Sequence, residues 1–240
     1  KFLIIEDSCH ALGSSYKYIK NIYKVGSCKH SDIATFSFHP LKSITTGEGG
    51  AITTNIKKYA QKAKLFRSHG IIRIPERHWT YNINSLGLNY RLSDINCSLG
   101  ISQLSRIKKI FNKRKVIAKN YIKKLSKFDK NNIIKLPHLA TINYSSWHLF
   151  IIRLNFSKLR CNKEKLFKFF KKNKIYLQQH YIPIYKFNYY RKISKRLNGA
   201  EKYFKDSISF PIFYDFFLIN QNRVIKLLKD FINQQSFKNQ

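Results

Sequence analysis

Three observations predict an α/β fold for this chain. Short apolar runs of strand length alternate with segments whose apolar residues repeat at three- and four-residue steps. The first run, Phe2-Leu3-Ile4-Ile5, is continuous, as in a parallel strand covered on both faces, and it ends in Glu6-Asp7. The pattern breaks once, between Asp129 and Pro137, and then resumes. A larger mixed-sheet unit over 1–127, ending in a long helix, followed by a smaller α+β unit over 128–240 is therefore expected.

In chain order, residues 1–6, 33–38 and 51–54 read as strands. Ile56, Tyr59, Ala60, Ala63 and Phe66 share one face of a helix that stops at Gly70. Arg73 to Leu88, with Pro75, Trp79 and Gly87, reads as a long loop, a kind of segment that tends to carry function. Ser93 caps one long helix, with Leu104, Ile107, Phe111, Ala118, Tyr121 and Leu125 on its apolar face and Lys113-Arg114-Lys115 on its wet face. After the break come a strand at 148–154, a helix over 163–172, a strand near 175–179 and a last helix near 221–233. No internal repeat is visible.

Composition narrows the classes. The 240 residues are 43% hydrophobic and 15% aromatic, enough for a core. The formal charge of +34, from 46 Lys+Arg against 12 Asp+Glu, raises the possibility of a basic nucleic-acid-binding protein. The excess is mostly lysine, runs along the whole chain and comes with many Asn, Ile and Phe, so it marks biased codon usage and not a concentrated binding face. Cys9, Cys28, Cys97 and Cys161 form no C-x-x-C pair and no metal spacing, and read as free thiols of a reducing compartment. No apolar stretch reaches the roughly 18 residues that cross a bilayer. The expectation is a cytoplasmic protein with no membrane, nucleic-acid or metal partner.

The chemistry concentrates around Lys42, in Phe36-Ser37-Phe38-His39-Pro40-Leu41-Lys42 and the following Gly47-Glu48-Gly49-Gly50. A lysine between an apolar run and a glycine-rich turn is partly shielded from water, which suits a nucleophilic amine. Asp7, at the C-terminal end of a strand of parallel type, lies where open α/β sheets place ligand-binding groups. Ser37 offers a hydroxyl to a phosphate oxygen, and the glycines permit close backbone approach. Taken singly, each residue is unremarkable: a solvated lysine, a capping aspartate, a structural histidine at His10. The ordered set is what matters, because an amine, a carboxylate and a phosphate donor are what a pyridoxal cofactor requires.

These residues resemble the DegT-type sugar aminotransferases, which are pyridoxal 5'-phosphate enzymes of fold type I. The resemblance rests on Ile4-Ile5-Glu6-Asp7-Ser8-Cys9-His10-Ala11-Leu12-Gly13 and Ser37 to Gly50. It continues through Phe66-Arg67-Ser68-His69-Gly70, Leu86 to Asp94 and His180-Tyr181-Ile182-Pro183-Ile184. Within the family the wording is closest to the UDP-sugar 4-aminotransferases of pseudaminic acid biosynthesis. The chain would then begin downstream of the family's first strands, its phosphate-cradling helix and its ring-stacking aromatic residue. A sheet without those strands is expected to expose apolar surface and unpaired edges.

The resemblance implies an aminotransferase moving an amino group, from an amino acid such as glutamate, to a 4-keto-6-deoxy nucleotide sugar in surface-glycan biosynthesis. It implies Lys42 as the residue joined to the cofactor and as proton carrier, and Asp7 as partner of the pyridine nitrogen. By the same resemblance His10 lies against the ring, Ser37 on the phosphate, and His180 and Tyr181 near the sugar. Asn89 and Arg91 would reach the cofactor of the other subunit in a homodimer with shared active sites. The family's sugar 3-dehydratases carry histidine in place of this lysine, so Lys42 argues against them. An inactive, degenerate fragment and a nucleic-acid-binding protein are the alternatives.

Overall fold

In the computed structural model, which describes residues 2–192 and 195–237, the first apolar run leads into strand β1 (Ile5–Asp7). It lies parallel to β4 (Ile33–Ser37), with Ile5 opposite Ile33 and Asp7 opposite Thr35. The turn after β4 returns the chain as β5 (Gly50–Thr53), antiparallel, with Ser37 opposite Gly50, and the sheet order is β1-β4-β5. Asp7 and Ser37 thereby end two neighbouring parallel strands on the same edge of a mixed sheet.

Between them lies a hairpin that the sequence reading does not contain, β2 (Ser15–Tyr18) with β3 (Asn21–Lys24). Helix α1 (Lys57–Arg67) forms where its apolar face predicts. The expected loop from Arg73 to Leu88 is in part a second hairpin, β6 (Ile71–Arg73) with β7 (Tyr81–Ile83). The long helix is also divided. Ser93 caps α2 (Asp94–Ser105) by accepting from Asn96 N at 3.3 Å, but the chain leaves the helix at Arg106 and resumes as α3 (Ile107–Lys130). At the break the Ser102 carbonyl accepts from Ser105 Oγ at 2.8 Å and Arg106 Nε at 3.4 Å, and side chains that compete for a helical carbonyl loosen a turn.

The described residues fall into two compact units, within Lys1–Phe111 plus Tyr144–Ser146 and within Asn112–Asn143 plus Trp147–Gln240. The division expected at 127/128 lies further along α3. In the second unit β8 (Ile134–Lys135), β9 (Phe150–Leu154) and β10 (Ser207–Phe210) form an antiparallel sheet in the order β10-β9-β8. Around it are α4 (Lys163–Lys172), α5 (Asn198–Asp206) and α6 (Leu218–Phe237). In place of a strand over 175–179 there is a single bridge between Gln178 and Ser209.

The second unit owns a continuous core. Phe150, Ile152 and Leu154 alternate inward from β9 and meet Tyr121 and Leu125 of α3, Phe170 of α4, and Leu228 and Phe231 of α6. Tyr121 stacks on Phe150 at 4.6 Å and donates its hydroxyl to Pro211 O at 3.0 Å. No helix among the described residues is long and apolar enough to cross a membrane.

Candidate active site

The sheet edge of the first unit gathers the predicted cofactor residues. At the end of β1 the chain bends through Ser8, whose N–H donates to Thr35 O at 2.9 Å and so ties the turn to β4. Asp7 Oδ1 accepts from Cys9 N at 3.1 Å. Hydrogen bonds from the Cys9 thiol and N–H hold the Asp7 carboxyl below the usual carboxylate range, and positive charge at His10 and Lys42 adds to this. Its carboxylate in turn pushes the Cys9 thiol up. Asp7 is exposed, ionised at neutral pH and set in the field of Lys42.

Lys42 is presented by a turn. Its N–H donates to His39 O at 2.9 Å, closing a four-residue turn with Pro40 second, the position at which proline's fixed φ suits a β-turn. The His39 ring caps this turn by accepting from Leu41 N at 3.2 Å through Nδ1. Beyond the lysine the loop folds back: Thr46 N donates to Phe38 O at 3.0 Å and Phe38 N to Gly49 O at 2.8 Å. Gly50 is required by close approach, since a Cβ there would sit 2.6 Å from Phe36 O. Lys42 and Ser37 are half-buried, and Ser37 Oγ faces the His39 N–H at 3.5 Å.

Asn89 and Arg91 are exposed. Asn89 is bridged to Ser68, and around it His69 N donates to Leu88 O at 3.1 Å and Tyr90 N to Arg67 O at 2.9 Å. Two glycines make this clasp possible: a Cβ on Gly87 would lie 2.0 Å from Gly70 N, and one on Gly70 would lie 2.0 Å from Ser85 O. His180 and Tyr181 belong to the second unit. His180 Nδ1 shares a 2.6 Å hydrogen bond with Ser209 Oγ, its ring stands edge-on to Tyr181 at 4.7 Å, and Tyr181 is exposed.

The structure therefore brings Asp7, His10, Ser37 and Lys42 onto one edge of one unit, with Asn89 and Arg91 on a loop of that unit and His180 and Tyr181 in the other. The first set suits a pyridoxal phosphate: an ionised carboxylate, a half-buried amine, a hydroxyl at a strand end and a glycine-tight backbone. Cys9 is the member that sequence reasoning passed over. The signal was its place two residues after Asp7, the offset at which an aspartate side chain accepts from the backbone.

Residues 1–229 match the DegT/DnrJ/EryC1/StrS aminotransferase family. This chain belongs to that family. A relative named UDP-4-amino-4,6-dideoxy-N-acetyl-beta-L-altrosamine transaminase, from Campylobacter jejuni, is 42% identical over 210 residues, 87% of this chain and 53% of that protein. The chain thus spans about half the length of the curated relatives it matches. Among solved structures, Helicobacter pylori PseC, an aminotransferase involved in the biosynthesis of pseudoaminic acid, superposes with a TM-score of 0.86 at 32% identity. That match covers 96% of this chain and 59% of PseC. Spr1654 from Streptococcus pneumoniae, in its apo-form, gives 0.85 at 26% identity over 99% of this chain and 59% of its own. The chain shares its mixed α/β fold with these solved structures, 59% of whose length it covers.

Proposed function

We propose that this chain carries the lysine, aspartate and phosphate-side serine of a pyridoxal-phosphate-dependent transaminase acting on a nucleotide-linked 4-keto-6-deoxy sugar, in surface-glycan biosynthesis in the cytoplasm. The observation that carries the reading is the shared edge of β1 and β4, where an ionised Asp7 lies in the field of a turn-presented Lys42, with Ser37 ending the neighbouring strand. The Campylobacter jejuni relative supports the sugar class.

Bound, the cofactor supplies an electron sink for the bond electrons released when a carbon bearing the amino group loses its proton. Lys42 Nζ would hold the cofactor and, as a free amine, would move a proton at the reacting carbon. Asp7 keeps its charge and so favours a protonated ring nitrogen. Ser37 Oγ donates to the phosphate, and His10 lies against the ring. Asn89 and Arg91 serve the site of a second copy in a homodimer, His180 and Tyr181 face the sugar, and glutamate supplies the amino group. The cofactor-binding piece is the first unit, within Lys1–Phe111 and Tyr144–Ser146, and the second unit is the C-terminal domain.

Borohydride treatment of protein incubated with pyridoxal phosphate should fix the cofactor on the peptide containing Lys42, and Lys42→Ala should abolish this while the circular dichroism spectrum is kept. Equal labelling of lysines along the chain would refute the assignment and favour an inactive fragment. Tight, steeply salt-dependent DNA binding would favour the nucleic-acid reading. For shared sites the test is mixing: in the full-length enzyme, a Lys42→Ala chain and an Asn89→Ala/Arg91→Ala chain, each inactive, should regain activity together. In a mixed dimer one site receives both lesions and the other neither. A dead mixture in which mixed dimers demonstrably form would remove Asn89 and Arg91 from the site.

A further inference from the structure

The second unit contains a cavity of about 680 Å³, within the size range of small-molecule sites, and none of its lining residues is assigned to the Lys42 site. Three elements aim cations at it. Lys135 of β8 and Arg153 of β9 are register partners, so their side chains leave the same face of the sheet. Lys202 and Lys205 come from α5, which packs against β9. Like charges directly opposite on a sheet are destabilising by themselves, and here two further ammonium groups converge on the pair.

The carboxylates present do not balance them. Asp206 is paired with Arg153 Nη2 at 3.3 Å, and Asp129 Oδ1 accepts from Leu136 N at 2.9 Å. Lys135, Lys202 and Lys205 make no ion pair among the described residues. Arg153 Nε is buried without a hydrogen-bond partner among those residues, and a donor left so costs free energy until something accepts from it.

We propose that this cavity binds a phosphorylated small molecule, its phosphate oxygens taken by Lys135, Lys202, Lys205 and Arg153. A phosphate fits better than a single carboxylate because it brings more than one negative charge and several acceptor oxygens to a site with three uncommitted ammonium groups. The charge is local as well as global. The register of β8 and β9 and the position of α5 bring it together around a concave surface, which lysines scattered over convex faces do not do.

Calorimetric titration with inorganic pyrophosphate and with adenosine diphosphate tests this. Each should bind at one saturable site per chain. The triple variant Lys135→Gln/Lys202→Gln/Lys205→Gln, all exposed positions, should bind about tenfold more weakly or worse, since charge-assisted hydrogen bonds are lost. A control triple, Lys171→Gln/Lys172→Gln/Lys174→Gln, removes the same charge from another face and should bind as wild type. Lys42→Ala should also leave binding unchanged, which separates this site from the proposed cofactor site. Equal weakening in both triples would mean unspecific attraction to a polycation and overturn the proposal. Loss in Lys42→Ala, or no saturable binding at millimolar probe, would overturn it too.

Discussion

Arg114 is 6% exposed, and its Nη1 donates to three carbonyls, Trp147 O and His148 O at 3.1 Å and Ile212 O at 3.0 Å. Burial pulls its pKa down to about 10, so these carbonyls are what keep a charge in the interior worthwhile. Arg114→Ala should cost at least about 3 kcal/mol, because it strands three buried acceptors. The buried Trp147 gives a fluorescence signal for measuring this by urea denaturation, and a loss under about 1 kcal/mol would contradict the account. The sequence put Arg114 on the wet face, since its run Lys113-Arg114-Lys115 looks solvated and its partners lie far along the chain. Asp7, Ser37 and Lys42 were legible because their order is a local motif. Lys163 shows a different residue-scale effect. Its ammonium donates to Gln179 Oε1 at 2.6 Å and to the Phe204 carbonyl, and burial lowers its pKa to about 8, from 10.5 in an exposed chain. Between pH 8 and 10.5 the unfolded chain then holds more protons than the folded one, so this lysine makes stability rise with pH in that window. The difference in melting temperature between wild type and Lys163→Met should move in favour of wild type from pH 8 to pH 10. A flat difference would mean that Lys163 stays as solvated in the fold as outside it.

At the scale of elements, the strong periodic segments were readable and the short or interrupted ones were not. Helices α1 and α4 show clear apolar faces, and strand β9 alternates inward and outward residues. Helix α5 was missed because its first turn holds Asn198-Gly199, a pair of low helix propensity. Strands β6 and β7 are three residues each and exposed along most of their length, so their pairing leaves little hydrophobic pattern in the sequence. What fixes that region instead is backbone proximity at Gly70 and Gly87. Gly87→Ala should open the clasp, because its Cβ would meet Gly70 N and the His69 backbone and no side chain can move aside. The expected result is faster amide exchange at His69 and Leu88, which now donate to Leu88 O and Phe66 O, with exchange in β9 and β10 unchanged. Unaltered exchange at His69 would show that the clasp is held by something else.

For the whole molecule, the distribution of apolar burial matters more than the charge of +34. The second unit buries a contiguous cluster from Ile117 to Ile232. In the first unit the buried hydrophobic residues are Cys28, Ala34, Ile44 and Ile110, while Phe2 (92%), Ile95 (83%), Leu86 (80%) and Leu41 (78%) are largely exposed. Apolar area removed from water is the main favourable contribution to folding, so the two units should differ widely in stability. The amides of Ile152 and Ser209 in the second unit should exchange at least about 100-fold more slowly than those of Ala34 and Thr35 in the first, a gap of roughly 3 kcal/mol. The expectation of exposed apolar surface was legible from the resemblance, whereas its concentration in one unit follows only from coordinates. The proposed cofactor residues all sit in the weaker unit. A ligand that binds only the folded form stabilises what it binds, so pyridoxal phosphate should slow exchange across β1, β4 and the Lys42 loop and leave β9 and β10 as they were. In Lys42→Ala that protection should largely disappear. Uniform protection across both units before any ligand is added, with one cooperative transition, would show that the first unit draws its stability from contacts other than its own core.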